Sequence, residues 1–180
     1  ALEQVEAAGR TAAIPEGNPY RGLLSFEAEH RALFFGRNAE IGTILERLHT
    51  DSFVLVAGDS GTGKSSLCKA GVVPRVIEGA LDKTRMYRAV KLVPGRHPAS
   101  ALAAALAPEL EKNEQSILQI LHDEPDALRF ELSSYAARDA QGRQRGLLLF
   151  VDQLEELITL SNPEEAALVS EVLGWLALRV

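Results

Sequence analysis

The residues Gly58-Asp59-Ser60-Gly61-Thr62-Gly63-Lys64-Ser65 fit the spacing G-x-x-x-x-G-K-[ST], and each type at its place suits the grip of a polyphosphate. Gly58, Gly61 and Gly63 let the backbone take positive φ and approach phosphate oxygens with no Cβ in the way. Successive N–H groups then converge as an anion nest, aided by the positive end of a helix that starts near Lys64. Lys64 would reach the β- and γ-phosphates, and the Ser65 hydroxyl would ligate Mg²⁺. With Ser66 on the first turn, residues 58–66 form the expected phosphate-binding set. A chance glycine-rich turn would lack the context seen here. The apolar run Phe53 to Ala57 precedes the loop as a buried strand should, and Leu67, Cys68, Val72 and Val73 follow at near-helical spacing.

Phosphate chemistry also needs an acid at the tip of a neighbouring strand to hold the metal, and a second acid to orient or deprotonate water. Gly146-Leu-Leu-Leu-Phe-Val-Asp152 is a continuous apolar run ending in a carboxylate, the pattern of a central parallel strand. Asp152 fits the metal role. Glu155 and Glu156 are the candidates for the water, with Glu155 preferred. The competing structural reading is that Asp152 caps the next helical turn and that the two glutamates favour its dipole.

The elements that must carry these groups follow from the rest of the chain. At 180 residues and 46% hydrophobic side chains, it can bury one sizeable core. The net charge of −6 offers no general attraction for nucleic acid or an anionic membrane. One cysteine, Cys68, rules out an intrachain disulfide and suits a reducing cytoplasm, and its expected role is a small apolar residue on the helix after the loop. No apolar run approaches the ~18 residues of a transmembrane helix. His30, His49, His97 and His122 show no metal-ligand spacing.

Residues 1–19 read as a linker. The segment from Tyr20 to Phe35 gathers Tyr20, Leu23, Leu24, Phe26, Leu33, Phe34 and Phe35 without a clear period, which suggests a loop packed on the core or on a ligand base. A helix follows with Ile41, Ile44, Leu45 and Leu48 on one face and Asn38 as its expected N-cap. The helix after the phosphate loop should kink or end at Pro74, and Gly79 closes it. Met86 to Val93 reads as a strand. Helices are expected over 99–110, about 115–121 and 126–137, broken at Pro108 and Pro125, and a last one over 164–178 buries Ala167, Leu168, Val172, Leu173 and Leu176, with Trp175 in the core. Arg143 and Arg145 are expected to stay solvated in a polar turn, and the charges from Glu109 to Glu114 at an exposed helix end.

Taken in order, Asn18-Pro-Tyr-Arg-Gly-Leu with Phe26, Phe34-Phe-Gly-Arg37, GDSGTGKSSL, Ala70-Gly-Val-Val-Pro74, Leu92-Val-Pro-Gly95 with Pro98, and Val151-Asp-Gln-Leu-Glu-Glu-Leu157 resemble the bacterial STAND NTPases, specifically the novel STAND class. The second motif is also similar to that of NACHT domains, in which the acid three places after the magnesium aspartate is the catalytic candidate; here that is Glu155. The resemblance implies an α/β three-layer P-loop core with a mostly parallel sheet, binding ATP or ADP with Mg²⁺. It implies a cytoplasmic signal-transduction ATPase whose nucleotide state switches oligomerisation, flanked by an upstream effector and downstream sensor repeats. Phe35, Gly36 and Arg37 resemble the element near the adenine, although Asn38 stands where a glutamate is common.

The resemblance further implies a strand between the phosphate-loop strand and the Asp152 strand, with a sensor arginine, and a winged-helix histidine that reads the β-phosphate. Neither is found by Val180, so residues 20–180 are expected to be the N-terminal part of a longer domain. Two rival functions are a P-loop small-molecule kinase, which the Gln-Leu-Glu-Glu sequence after Asp152 argues against, and a non-hydrolytic scaffold that holds ADP.

Overall fold

The computed structural model describes residues 22, 24–137 and 143–178. The linker expected over 1–19 lies outside the described residues, as do Tyr20 and Leu23. Strands β1 (Arg85–Leu92) and β2 (Gln144–Val151) pair in parallel, in register from Arg85 opposite Gln144 to Leu92 opposite Val151. Both lie where the apolar runs place them. Side chains alternate across a strand, so Val90, Leu92, Leu147, Leu149 and Val151 turn to one apolar cluster, while Tyr87 and Leu148 turn to another. Helices therefore cover both faces, which explains why β2 is apolar from Gly146 to Val151. The Tyr87 ring leans over Gly146, its ladder partner, where a Cβ would lie 2.6 Å from two ring carbons.

The second cluster joins helix α1 (Asn38–Thr50) to the helical segment after the phosphate loop. That segment comprises α2 (Lys64–Ser66), a π-helical turn over Leu67–Val72, and α3 (Val73–Ile77). Of the two outcomes expected at Pro74, a kink or an end, the segment does not end there. A proline ring clashes with the carbonyl four residues back and offers no N–H, and the wider turn just ahead relieves both demands. Arg75 adds a donor by reaching back to the Gly71 carbonyl at 2.8 Å, and Gly79, at φ 89°, closes the segment. Gly71 lets α1 lie close, since a Cβ there would be 2.7 Å from Ile41 Cδ1. The N-cap of α1 is Arg37 rather than Asn38, because Gly36 at φ 81° turns the chain one residue earlier. Asn38 Oδ1 instead accepts from Arg75.

The first cluster joins α4 (Pro98–Leu110), α5 (Glu114–Asp123), α6 (Pro125–Ala136) and a terminal helix beyond the short α7 (Glu156–Thr159), namely α8 (Pro163–Ala177). Leu102, Ile117, Leu128, Val169 and Val172 are wholly buried here, and truncating any one to Ala would cost about 2–5 kcal/mol. Asn113 and Asn162 cap α5 and α8 by accepting from backbone N–H groups one turn on. Helix α4 runs through Pro108 to Leu110, because a proline in the last turn forfeits little of the helix. Trp175 is buried, with the Arg129 guanidinium 4.7 Å above its ring. Ala167 is exposed, and Ala166 and Val169 take the buried positions one residue out of the expected phase. The charges from Glu109 to Glu114 are partly engaged: Tyr135 donates to Glu109 at 3.2 Å and Lys112 pairs with Glu131 at 3.3 Å. Arg145 lies over the Tyr135 ring at 5.5 Å instead of standing free.

One expected strand is not part of the sheet. Residues 53–57 carry no ladder partner among the described residues. Val54 and Val56 are half-buried while Phe53 and Leu55 are 51% and 63% exposed, so one side of this extended run is packed and the other open. A continuous apolar run shows that a segment could be covered on both faces, but strand pairing also needs a neighbour in the ladder. No helix among the described residues is long and apolar enough to cross a membrane.

Candidate functional site

Two elements of the sequence pattern meet at the centre of this site. Ser65, in the second position of α2, donates its hydroxyl hydrogen to Asp152 Oδ1 at 2.7 Å across 87 positions of chain. Asp152 is held there because its N–H continues the ladder, donating to the Leu92 carbonyl at 2.8 Å just past the end of β2. Its successor Gln153 sits at φ 57°, a conformation that costs a non-glycine residue energy and turns the chain sharply away from the strand.

The loop that precedes α2 is shaped by Gly61 at φ 80° and by Gly63 at φ 82°, the latter serving as the N-cap of α2. Thr62 Oγ donates to the Asp59 carbonyl at 2.8 Å, closing a tight turn through Ser60. The Lys64 ammonium folds back over the loop and donates to the Gly58 and Asp59 carbonyls at 2.7 and 2.9 Å. A ligand phosphate would compete with those neutral carbonyls for a strongly hydrated cation, and a bond between two ionised groups is the stronger of the two. The first N–H groups of the helix have no partners within it.

The lead-in segment also reaches the loop. Arg37 donates to the Thr62 carbonyl at 3.2 Å and pairs with Glu40. Phe35 is 77% exposed beside Gly36, while Phe34 turns inward and packs against Phe26, the ring centroids 5.9 Å apart. Between them, the 3₁₀ helix Ala28–Leu33 takes up six residues of the segment that the sequence suggested would be a loop. Ser66, whose side chain is buried, accepts from the Phe26 N–H at 3.0 Å, which ties the lead-in to the first turn after the loop.

The adjacent glutamates differ. Glu156 Oε2 accepts from the Gly95 N–H at 2.9 Å, which ties α7 to the turn after β1. Glu155 caps α7, is exposed, and has no side-chain partner among the described residues. Among the four histidines, His97 pairs with Glu165 at 3.0 Å and His30 accepts from the Glu27 N–H at 3.1 Å.

Sequence reasoning missed Lys69. Its Nζ lies 2.9 Å from Asp152 Oδ2 and 3.3 Å from Glu27 Oε1, while Lys91 holds Glu27 Oε2 at 2.9 Å. Burial lowers the Lys69 pKa, but Asp152 and Glu27 outweigh it and hold the ammonium above the usual lysine value. The available signal was its place four residues after Ser65, on the same side of a helix. Cys68 is buried, as expected for a small apolar residue, and burial together with the nearby Asp152 charge pushes its thiol up to about 11.

Ser65 and Asp152 offer a hydroxyl and a carboxylate side by side, the hard oxygen donors that suit Mg²⁺. No cluster of three or more His, Cys, Asp or Glu side chains fit to hold a metal exists among the described residues. A depression of about 580 Å³ between Ala107 and Gln115 includes none of these groups.

The mixed helices and parallel sheet are consistent with an α/β NTPase-like fold. The family model described as nSTAND1, Novel STAND NTPase 1, matches residues 19–179, and the chain belongs to that family. A search of curated proteins and a search of solved structures each returned no match.

Proposed function

We propose that the chain binds ATP or ADP with Mg²⁺ and acts as the nucleotide-dependent switch of a signal-transduction ATPase. The observation that carries this reading is the 2.7 Å contact between Ser65 and Asp152, which joins the glycine-lysine-serine loop to the tip of β2. Backbone N–H groups of residues 59–63 and the α2 N-terminus would cradle the phosphates. Lys64 would leave the Gly58 and Asp59 carbonyls for the β- and γ-phosphate oxygens. Ser65 and Asp152 would hold Mg²⁺, which supplies neutralisation of developing phosphate charge. Glu155, exposed and without a side-chain partner among the described residues, would orient the attacking water in a slow, regulatory hydrolysis, while Phe35, Gly36 and Arg37 would border the nucleotide. Oligomerisation, an upstream effector and a downstream sensor belong to the same reading, as does a cytoplasmic setting.

Titration with a fluorescent ATP analogue tests the centre of it. Lys64→Ala should abolish binding, and Glu155→Gln should bind without hydrolysing. Unchanged binding by a folded Lys64→Ala protein would overturn the assignment of the loop.

A further inference from the structure

The Lys69 ammonium stands between two carboxylates with different duties. On one side is Asp152, whose other oxygen meets Ser65; on the other is Glu27, in the lead-in segment. The Lys69 side chain is only 16% exposed, and Asp152 only 12%. Lys69 and Lys91 together balance Asp152 and Glu27, with Ser25 Oγ accepting from Lys69 at 3.4 Å. The lead-in has a second attachment to the same helical segment, the Phe26 N–H bond to Ser66.

Charge arithmetic then defines a choice. A divalent cation beside Ser65 and Asp152 places two positive charges next to an ammonium that already uses the same carboxylate. Like charges repel in a partly buried site, and the ammonium has a second carboxylate within 3.3 Å. We propose that Lys69 is an exchangeable counter-ion, shared with Asp152 in the metal-free protein and yielded to Glu27 when a divalent cation takes Asp152. The hold of Ser25-Phe26-Glu27 on the domain thereby reports whether the metal is bound. The inference rests on the reading of Ser65 and Asp152 as the Mg²⁺ site. By reciprocity, removing Glu27 must weaken Mg²⁺ binding, because Lys69 then has nowhere to go.

A double-mutant cycle on Mg²⁺ tests this. The Mg²⁺ concentration that half-tightens a fluorescent ADP analogue is measured for the wild type, Glu27→Gln, Lys69→Met and the double variant. Glu27→Gln should raise this midpoint about tenfold in the wild-type background and change it by less than about twofold when Lys69 is already Met. Lys69→Met alone should lower the midpoint. An equal effect of Glu27→Gln in both backgrounds would mean a simple field effect and overturn the hand-over, as would no effect in either.

Hydrogen exchange on the wild-type protein needs no variant. With ADP saturating, Mg²⁺ should slow exchange at Phe26 several-fold relative to chelator. If Mg²⁺ tightens ADP and Phe26 exchange is unchanged, the hand-over alone fails. If Mg²⁺ leaves ADP affinity unchanged, the metal site itself fails and the hand-over with it.

Discussion

Glu156 Oε2 accepts a hydrogen bond from the Gly95 N–H at 2.9 Å, and this contact separates two neighbouring glutamates. Glu156 fastens α7 to the turn after β1, whereas the Glu155 side chain is exposed. Glu156→Ala would leave the Gly95 donor without its acceptor at a cost of about 1–2 kcal/mol, lowering the melting temperature by roughly 2–8 °C for a chain of this size. Glu155→Ala should change stability by less than about 0.5 kcal/mol while removing ATP turnover. Calorimetric melting and a phosphate-release assay on both variants check the contrast.

The close approach of Tyr87 to Gly146 sets a second expectation. A Cβ at position 146 would lie 2.6 Å from the ring and 2.9 Å from Arg85 Cδ, and a ring packed on a ladder partner yields little. Gly146→Ala should therefore destabilise by about 1–3 kcal/mol, read as a lower urea midpoint with an unchanged slope. Gly146→Ala combined with Tyr87→Ala should lose less than the sum of the single changes.

Cys68 should be a slow thiol. Its thiolate fraction at pH 8 is about 100-fold below that of an ordinary thiol, because its value stands at about 11 against 9.0. Because the more basic thiolate is also the better nucleophile, reaction with a disulfide reagent at pH 8 should be slower by at least about tenfold in the folded protein and should become fast in denaturant. Fast labelling of the folded protein would contradict the burial described.

The Glu27 contacts predict a loss of stability in acid. Burial raises the Glu27 carboxyl, but Lys91 and Lys69 together outweigh it and hold the value below 4.5. A group depressed in the folded state contributes stability that is fully present above its unfolded value and is lost as pH falls through the folded one. Exchange of the lead-in amides should thus accelerate, after correction for intrinsic rates, only as pH drops below 4.5, and Glu27→Gln should remove that pH dependence.

Legibility followed the kind of information each feature requires. β1, β2 and the outlines of α1, α4 and α8 were readable because apolar period and punctuation by Pro and Asn act locally. The segment 53–57 was not, since pairing depends on which strand stands beside it. Pro74 marked an interruption without saying which form it takes, because that depended on how the preceding turn could widen. At the site, the motif spacing singled out Ser65 and Asp152, and the fold brings their side chains to 2.7 Å. Lys69 and Glu27 escaped because their meaning lies in a three-way meeting of charges from segments far apart in the chain. The division between Glu155 and Glu156 rested on Gly95, which no local pattern of acids could reveal.

The π-helical turn over Leu67–Val72 also fixes an angular phase. One residue of an α-helix corresponds to about 100° around its axis, and the wider turn takes up one extra residue without passing that rotation on. Val73, Pro74 and Val76 are buried just beyond it. Deleting a single residue between Cys68 and Val72 would therefore close the turn yet leave these three side chains facing the core, and what would be lost is the room beside Pro74, so the extra residue behaves as a seat cut for the proline rather than as spare length.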